Sequence, residues 1–194
     1  MRYFVLLCML IAKVFAFSSA VMPGMHALDF TLQDVHGQDV SLHDYAGKIV
    51  VLEWRDPRCD YVKKYYTSNK KQTLQKHYQE QFGVVWLTIL LNNDDPLPSA
   101  ATNVLLDPAR EVTRLYDVQK VPEIIVIDEA GYVAYVGAVD SVRSPDVVDV
   151  ARARANYIEM TLDALVSSHP VPISHTRPFG CQTAHYTPAQ FHRV

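Results

Sequence analysis

The sequence has few cysteines, no surplus of positive charge and no low-complexity stretch, and each of these shortages excludes a class of protein. Its 194 residues include three cysteines, and the 18 lysines and arginines are outnumbered by 21 aspartates and glutamates. Three cysteines do not build a disulfide scaffold. A net charge of −3 gives the chain no electrostatic reason to bind nucleic acid or anionic lipid. Because 49% of the residues are hydrophobic, we expect one domain with an ordinary core.

The first twenty residues lack acidic side chains and differ from the rest of the chain. Arg2 precedes an apolar run that Lys13 interrupts, and the small residues Ser18-Ser19-Ala20 follow. This order is typical of a secretory signal peptide, whereas a membrane anchor needs about 20 apolar residues in a row. We therefore predict a cleaved signal peptide at 1–20, a periplasmic or secreted location, and no stable membrane insertion after cleavage.

Apolar runs and turn signals predict the elements that follow. A β-hairpin is expected near 29–42, a buried strand at 49–54, and a helix from Cys59 to about Phe82 with a kink at 67–69. Further strands are expected at 84–91, 104–106, 123–128 and 132–137, and helices at 108–117 and from 144 to about 165. This order predicts an α/β fold with a mixed central sheet flanked by helices and an N-terminal β-hairpin. We assign the domain to 21–166 and an irregular tail carrying Cys181 to 167–194.

Four segments between residues 27 and 140 carry a family resemblance. They are the hairpin and strand from Phe30 to Leu52, the run Trp54-Arg55-Asp56-Pro57-Arg58-Cys59, the pair Val121-Pro122 before an apolar strand, and the turn at Asp128-Glu129-Ala130-Gly131. Together they resemble the redoxin (AhpC/TSA-like, peroxiredoxin-like) family of the thioredoxin fold. The tail segment Thr176-Arg177-Pro178-Phe179-Gly180-Cys181 is similar to that of an exported subset of redoxins with a C-terminal cysteine.

Cys59 is the candidate nucleophile of this fold. A thiol reacts as its thiolate, and unpaired N–H groups in the first turn of a helix lower its pKa. Arg58 and Lys63 add positive charge nearby, while Asp60 opposes them. We expect a lowered pKa for Cys59 and a sulfur that meets solvent or substrate. The alternative is an inert buried cysteine.

Two residues depart from the family pattern and bear on the reaction. Val62 stands where disulfide-shuttling relatives have the second cysteine of Cys-x-x-Cys, so this motif cannot resolve a mixed disulfide by itself. Asp56 stands where peroxiredoxins have Thr or Ser, and a carboxylate there repels a thiolate and argues against peroxide reduction. The resemblance implies a thiol oxidoreductase without a cofactor, acting on a peroxide or a protein disulfide and served by a thiol electron donor.

The remaining site residues are predicted from the same resemblance. Glu53, six residues before Cys59, would be a buried proton relay, the alternative being a solvent-facing strand residue. Cys181 would resolve oxidised Cys59, the alternatives being a static disulfide or a free thiol. We expect Pro122 to be cis, which would bring the Val121 backbone beside Cys59 to pair with an extended substrate.

Trp54 and Arg58 complete the predicted substrate-binding set, and two other functions stay open. A non-catalytic binding module would keep the fold and use the loops around Pro122. A copper or zinc protein would use the histidines of the tail together with Cys181, but scattered histidines in a tail are usually surface residues, so no metal site is assigned. The tail histidines are His169, His175, His185 and His192.

Overall fold

The computed structural model describes residues 21–92 and 103–183. The predicted signal peptide at 1–20, which includes Cys8, and the tail end at 184–194, with His185 and His192, lie outside these residues. Within the described ranges, no helix is both long enough and apolar enough to cross a membrane.

The apolar runs of the sequence form β-strands, most of which join one sheet of seven strands. In chain order the strands are β1 (Thr31–Asp34), β2 (Asp39–Ser41), β3 (Val50–Arg55), β4 (Val85–Leu90), β5 (Val104–Leu106), β6 (Lys120–Val121), β7 (Glu123–Ile127), β8 (Val133–Gly137) and β9 (Cys181–Gln182). The large sheet has the order β2-β1-β5-β4-β3-β7-β8, and β6 pairs with β9. Strands β3, β4 and β5 are parallel, whereas β1 and β7 are antiparallel to their neighbours. The predicted mixed sheet and N-terminal hairpin are confirmed.

In the part of the chain that the structure describes, five α-helices cover the sheet on both faces, as expected for strands that are buried along their whole length. They are α1 (Asp60–Thr67), α2 (Lys70–Phe82), α3 (Glu111–Leu115), α4 (Val147–Val150) and α5 (Tyr157–Val166). Alternate residues of β3 point to opposite faces. Trp54 belongs to the core cluster that contains Cys59 and α3, and Val51 belongs to the cluster that contains Trp86 and α5.

The first long helical stretch is broken at the predicted kink. α1 ends at Thr67 and α2 begins at Lys70. Asn69, between them, has φ 55°, a left-handed conformation that continuous helical backbone does not contain. Directly after the break, Lys71 in the first turn of α2 is buried in the core.

The helix predicted at 108–117 is shorter than expected, since α3 begins only at Glu111. Arg110 precedes it with φ 56°, which excludes that residue from the helix. The carboxylate of Asp107 accepts the N–H groups of Glu111 and Thr113, each at 2.8 Å. The helix therefore does not begin at Pro108. Instead, the side chain of Asp107 caps the first N–H groups of α3.

The prediction of one helix from 144 to about 165 is wrong, because residues 151–156 separate α4 from α5. The hydroxyl of Ser141 accepts the backbone N–H groups of Arg154 at 3.0 Å and Ala155 at 3.2 Å. The side chain of Asn156 then caps α5 by accepting the N–H of Glu159 at 3.3 Å. These side-chain bonds offer the backbone an alternative to the helical ladder.

Candidate active site at Cys59 and Cys181

Cys59 lies at the beginning of α1, as predicted, and is its N-cap residue. Its N–H donates to the carbonyl of Asp56 at 3.0 Å, and its own carbonyl accepts the N–H groups of Val62 and Lys63, both at 2.9 Å. The sulfur therefore leaves the chain next to the positive end of the helix dipole, where a thiolate is stabilised.

Cys59 and Cys181 are joined by a disulfide, with Cα atoms 5.9 Å apart. The alternative in which Cys181 is a free thiol is therefore wrong for this state of the protein. Cys59 is only 3% exposed, so in this state its sulfur meets the tail, and not the solvent or substrate that we expected. The physical reason is the tail, because Cys181 packs against the same core cluster and covers Cys59.

The loop before β7 approaches Cys59 as the resemblance implied. The peptide bond between Val121 and Pro122 is cis. The carbonyl oxygen of Val121 lies 3.5 Å from the sulfur of Cys59. On the other side, Val121 faces Cys181 in the antiparallel pairing of β6 with β9, and Lys120 faces Gln182. The strand edge predicted to bind an extended substrate is thus occupied by the protein's own tail.

Trp54 and Arg58 take different positions around the sulfur. Trp54 is fully buried, and its indole N–H donates to the hydroxyl of Thr113 at 3.1 Å. It belongs to the core cluster that contains Cys59, so its place is structural. Arg58 is half exposed, and its Nε lies 3.1 Å from a carboxylate oxygen of the buried Asp56. The same oxygen accepts the backbone N–H of Arg58 at 2.9 Å. The carboxylate of Asp56 is therefore held at the turn that leads into Cys59.

Glu53 is buried, but it lies on the face of β3 opposite to Trp54 and Cys59. Its carboxylate forms an ion pair with Lys71 and accepts the indole N–H of Trp86 at 2.9 Å and the hydroxyl of Tyr66 at 3.2 Å. Burial is the largest single influence on Lys71 and acts to lower its pKa, but the charges and hydrogen bonds of Glu53 and Tyr66 together raise that pKa above its ordinary value. The solvent-facing alternative for Glu53 is wrong, and the relay role stays a prediction.

Glu123 is a buried acid beside the site that sequence reasoning missed. It follows the cis-proline directly, is 6% exposed, and faces Trp54 across the pairing of β3 with β7. Burial raises its pKa to about 8, although the backbone N–H groups of Lys120 and Gln119 act in the opposite direction. The burial of Glu123 could have been predicted, because this acid stands between Val121-Pro122 and an apolar run rich in isoleucine. An apolar run of that kind is typical of a strand that is covered on both faces.

The metal hypothesis finds no support within 21–92 and 103–183, where no three histidine, cysteine or acidic side chains are grouped to hold an ion. His169 and His175 belong to these ranges, while the other two tail histidines do not. In the disulfide state the sulfur of Cys181 is bonded to carbon and sulfur and is not a thiolate ligand.

Comparison with known proteins identifies the family. The model of the AhpC/TSA family matches residues 23–136, more than half of the chain, and the chain belongs to this family. Over 130 residues it is 30% identical to the thiol-disulfide oxidoreductase ResA of Bacillus subtilis (strain 168), a match that covers 63% of this chain and 71% of ResA. The predicted redoxin membership is confirmed.

Solved structures agree with the thioredoxin-like fold. An uncharacterized conserved protein from Geobacillus kaustophilus is similar with a TM-score of 0.68 and 23% identity, over 86% of this chain and 93% of that one. A putative thiol:disulfide interchange protein DsbE from Chlorobium tepidum is similar with a TM-score of 0.50 and 25% identity, over 59% of this chain and 83% of that one. Together with the cysteine pair, the family places the chain among the thiol oxidoreductases.

Proposed function

We propose that this protein exchanges disulfides with protein substrates, with Cys59 as the nucleophile and Cys181 as the resolving cysteine. The observation that carries the proposal is the pairing of the two sulfurs at the beginning of α1, against the Val121 carbonyl. Cys181 supplies from the tail the second thiol that Val62 does not supply within the helix. The name of the relative ResA, a thiol-disulfide oxidoreductase, supports the same reaction class.

The proposed reaction begins from the reduced pair. The Cys59 thiolate attacks one sulfur of a substrate disulfide, a mixed disulfide forms, and the other substrate sulfur leaves as a thiolate that takes up a proton. The Cys181 thiolate then attacks the Cys59 sulfur, which releases the second substrate thiol and forms the Cys59–Cys181 disulfide. A thiol electron donor reduces this disulfide by the same two exchanges in reverse. Two electrons move in each half of the cycle.

A peroxide is a less favoured substrate than a protein disulfide because of Asp56. Its carboxylate is buried and fixed by Arg58 at the turn before Cys59. A peroxidatic site needs hydrogen-bond donors where negative charge develops on the departing oxygen, and a carboxylate there raises the barrier instead. Disulfide exchange needs no donor for a departing oxygen, because its charge develops on sulfur atoms at the beginning of α1.

In the same proposal, Glu53 takes up or returns protons during exchange. It would do so from within its ion pair with Lys71 and its hydrogen bond with Tyr66. Substitution of Glu53 by Gln should therefore move the pH dependence of exchange while leaving the first attack by Cys59 possible.

We also propose that the protein works outside the cytoplasm. The support is the signal-like pattern of residues 1–20 and the presence of a cysteine pair that forms a disulfide. Such disulfides persist in oxidising compartments and are rare in the cytosol. The mature protein would then begin at residue 21, with the domain at 21–166 followed by the tail, as predicted from the sequence.

The test compares two substrates and two cysteine variants. Dithiothreitol-driven reduction of insulin disulfides should be accelerated by the wild type, be lost in Cys59→Ser, and fall at least about tenfold in Cys181→Ser. With the full, uncleaved chain, the matched control is Cys8→Ser, which should keep wild-type turnover. Hydrogen peroxide consumption should stay at the uncatalysed rate. A rate of insulin reduction that does not depend on Cys59 would contradict the proposal and favour a non-catalytic binding module.

A further inference from the structure

The tail is fastened to the domain on both sides of Cys181. On one side, Thr176 donates its N–H to the carbonyl of Val136 at 3.0 Å, and its hydroxyl accepts the N–H of Ala138 at 2.9 Å. The tail segment 174–183 therefore begins at β8 and crosses the mouth of the site toward β6.

On the other side, Thr183 is held by three hydrogen bonds and is 5% exposed. Its N–H donates to the carbonyl of Gln119 at 3.1 Å, and its hydroxyl donates to the carbonyl of Val118 at 2.9 Å. Its carbonyl accepts an N–H of Arg110 at 2.5 Å. Of these contacts, the hydroxyl bond to Val118 depends on the side chain two positions after the cysteine, whereas the other two use backbone groups.

The residue before Cys181 has no room for a side chain. Gly180 has φ 151°, and a Cβ built on it would lie 2.0 Å from the carbonyl oxygen of Val121 and 3.2 Å from Cδ of Pro122. Both obstacles belong to the backbone or ring of the loop before β7, so a rotamer change cannot clear them. The tail, as it lies along β6, therefore fits only with glycine at this place.

We propose that the edge of β6 is a recognition site for extended cysteine segments of the pattern Gly-Cys-x-Thr, which the tail occupies in the disulfide state. The inference deepens the proposed function, on which it rests, by naming the substrate class. In the mixed disulfide, a substrate segment with glycine before its cysteine takes the place of residues 180–183. The tail and the substrate then compete for one strand position.

The exchange step at this site balances without a further reagent. The Cys59 thiolate forms a bond to the substrate cysteine sulfur, the substrate disulfide breaks, and its second sulfur leaves with the electron pair and gains a proton. The returning tail then displaces the substrate segment from β6. The Cys181 thiolate bonds to the Cys59 sulfur, the mixed disulfide breaks, and the substrate sulfur leaves with the electron pair and gains a proton. Competition for the strand edge thus links product release to formation of the internal disulfide.

The test uses synthetic peptides on the full chain with Cys8→Ser and Cys181→Ser, so that Cys59 is the only thiol. The first peptide has the sequence of residues 177–183, and in the second alanine replaces the glycine. Each carries its cysteine as a mixed disulfide with thionitrobenzoate. Attack by Cys59 on the peptide sulfur releases the coloured thionitrobenzoate, which reports the rate. Reaction of both peptides with glutathione corrects for their intrinsic reactivity.

We expect the glycine peptide to react with Cys59 at least about tenfold faster than the alanine peptide. A third peptide, in which valine replaces the threonine, should also react more slowly, since it loses the hydroxyl bond to Val118. Equal rates for the glycine and alanine peptides, after the correction, would overturn the inference while leaving the proposed function intact. No release from any peptide would contradict the proposed function itself.

Discussion

The buried acid at Glu123 makes a quantitative prediction about stability and pH. Glu123 is 6% exposed, and its Oε2 atom has no hydrogen-bond partner within the described residues. Its pKa rises from 4.5 to about 8 on burial. The folded protein therefore keeps the Glu123 proton at neutral pH, while the unfolded chain, in which the carboxyl meets water, has lost it.

The direction of the pH effect follows from the proton count. Below the ordinary pKa of 4.5, both states hold the proton and pH has no effect through this group. From there to about pH 8 the folded state binds more protons than the unfolded state, so the free energy of unfolding falls as pH rises. At 1.36 kcal/mol per pKa unit, a rise of about 3.5 units costs at most about 5 kcal/mol above pH 8.

The perturbation is Glu123→Gln, which keeps the shape and cannot ionise. Urea unfolding of the oxidised protein at pH 5, 7 and 9 should give similar stabilities for wild type and variant at pH 5. The variant should become more stable than the wild type by several kcal/mol at pH 9. Glu129→Gln, an exposed residue of the turn between β7 and β8, is the control and should follow the wild type. A stability difference between Glu123→Gln and wild type that is the same at all three pH values would refute the reasoning.

Two further predictions concern the tail and the buried ion pair. Gly180→Ala should lower the equilibrium constant for forming the Cys59–Cys181 disulfide at least about tenfold, measured by alkylation after equilibration with glutathione. Gly37→Ala, where a Cβ meets open space, is the control and should leave this constant unchanged. An unchanged constant for Gly180→Ala would contradict the steric argument, because the loop before β7 would then move to admit the side chain. Lys71→Met leaves the Glu53 carboxylate buried without its cation and should destabilise the fold by about 3–5 kcal/mol in urea unfolding. Lys76→Met removes an exposed ion pair and should cost at most about 1 kcal/mol; equal losses for the two lysines would contradict the structural account.

Much of the fold could be predicted because its signals are local. The β-branched run of β3 and the apolar run of β4 are buried on every residue, and continuous apolar runs are typical of such central strands. The position of Cys59 at a helix beginning also follows from the break at Pro57 and the polar helix after it. The cis bond at Pro122 came from the family resemblance, since spacing alone does not indicate it.

The parts that could not be predicted depend on contacts between residues far apart in sequence. Nothing local distinguishes Lys71 from the other lysines of its helix, and its ion pair with Glu53 forms only in the folded protein, beyond the turn at Asn69. The separation of α4 from α5 depends on Ser141, which captures two N–H groups from a later segment. The composition of the tail predicts an irregular segment, whereas β9 gains its strand conformation by pairing with β6.

The central claim is that Cys59 and Cys181 form one working redox pair, and a single-turnover measurement tests it most directly. The reduced full chain carrying Cys8→Ser is mixed with a protein disulfide, quenched with acid, alkylated and analysed by mass spectrometry. We predict one Cys59–Cys181 disulfide for each substrate disulfide reduced, formed at the rate of product release. In the Cys181→Ser variant, the mixed disulfide between Cys59 and the substrate should accumulate. Substrate reduction without the internal disulfide, or a first adduct on Cys181, would contradict the account.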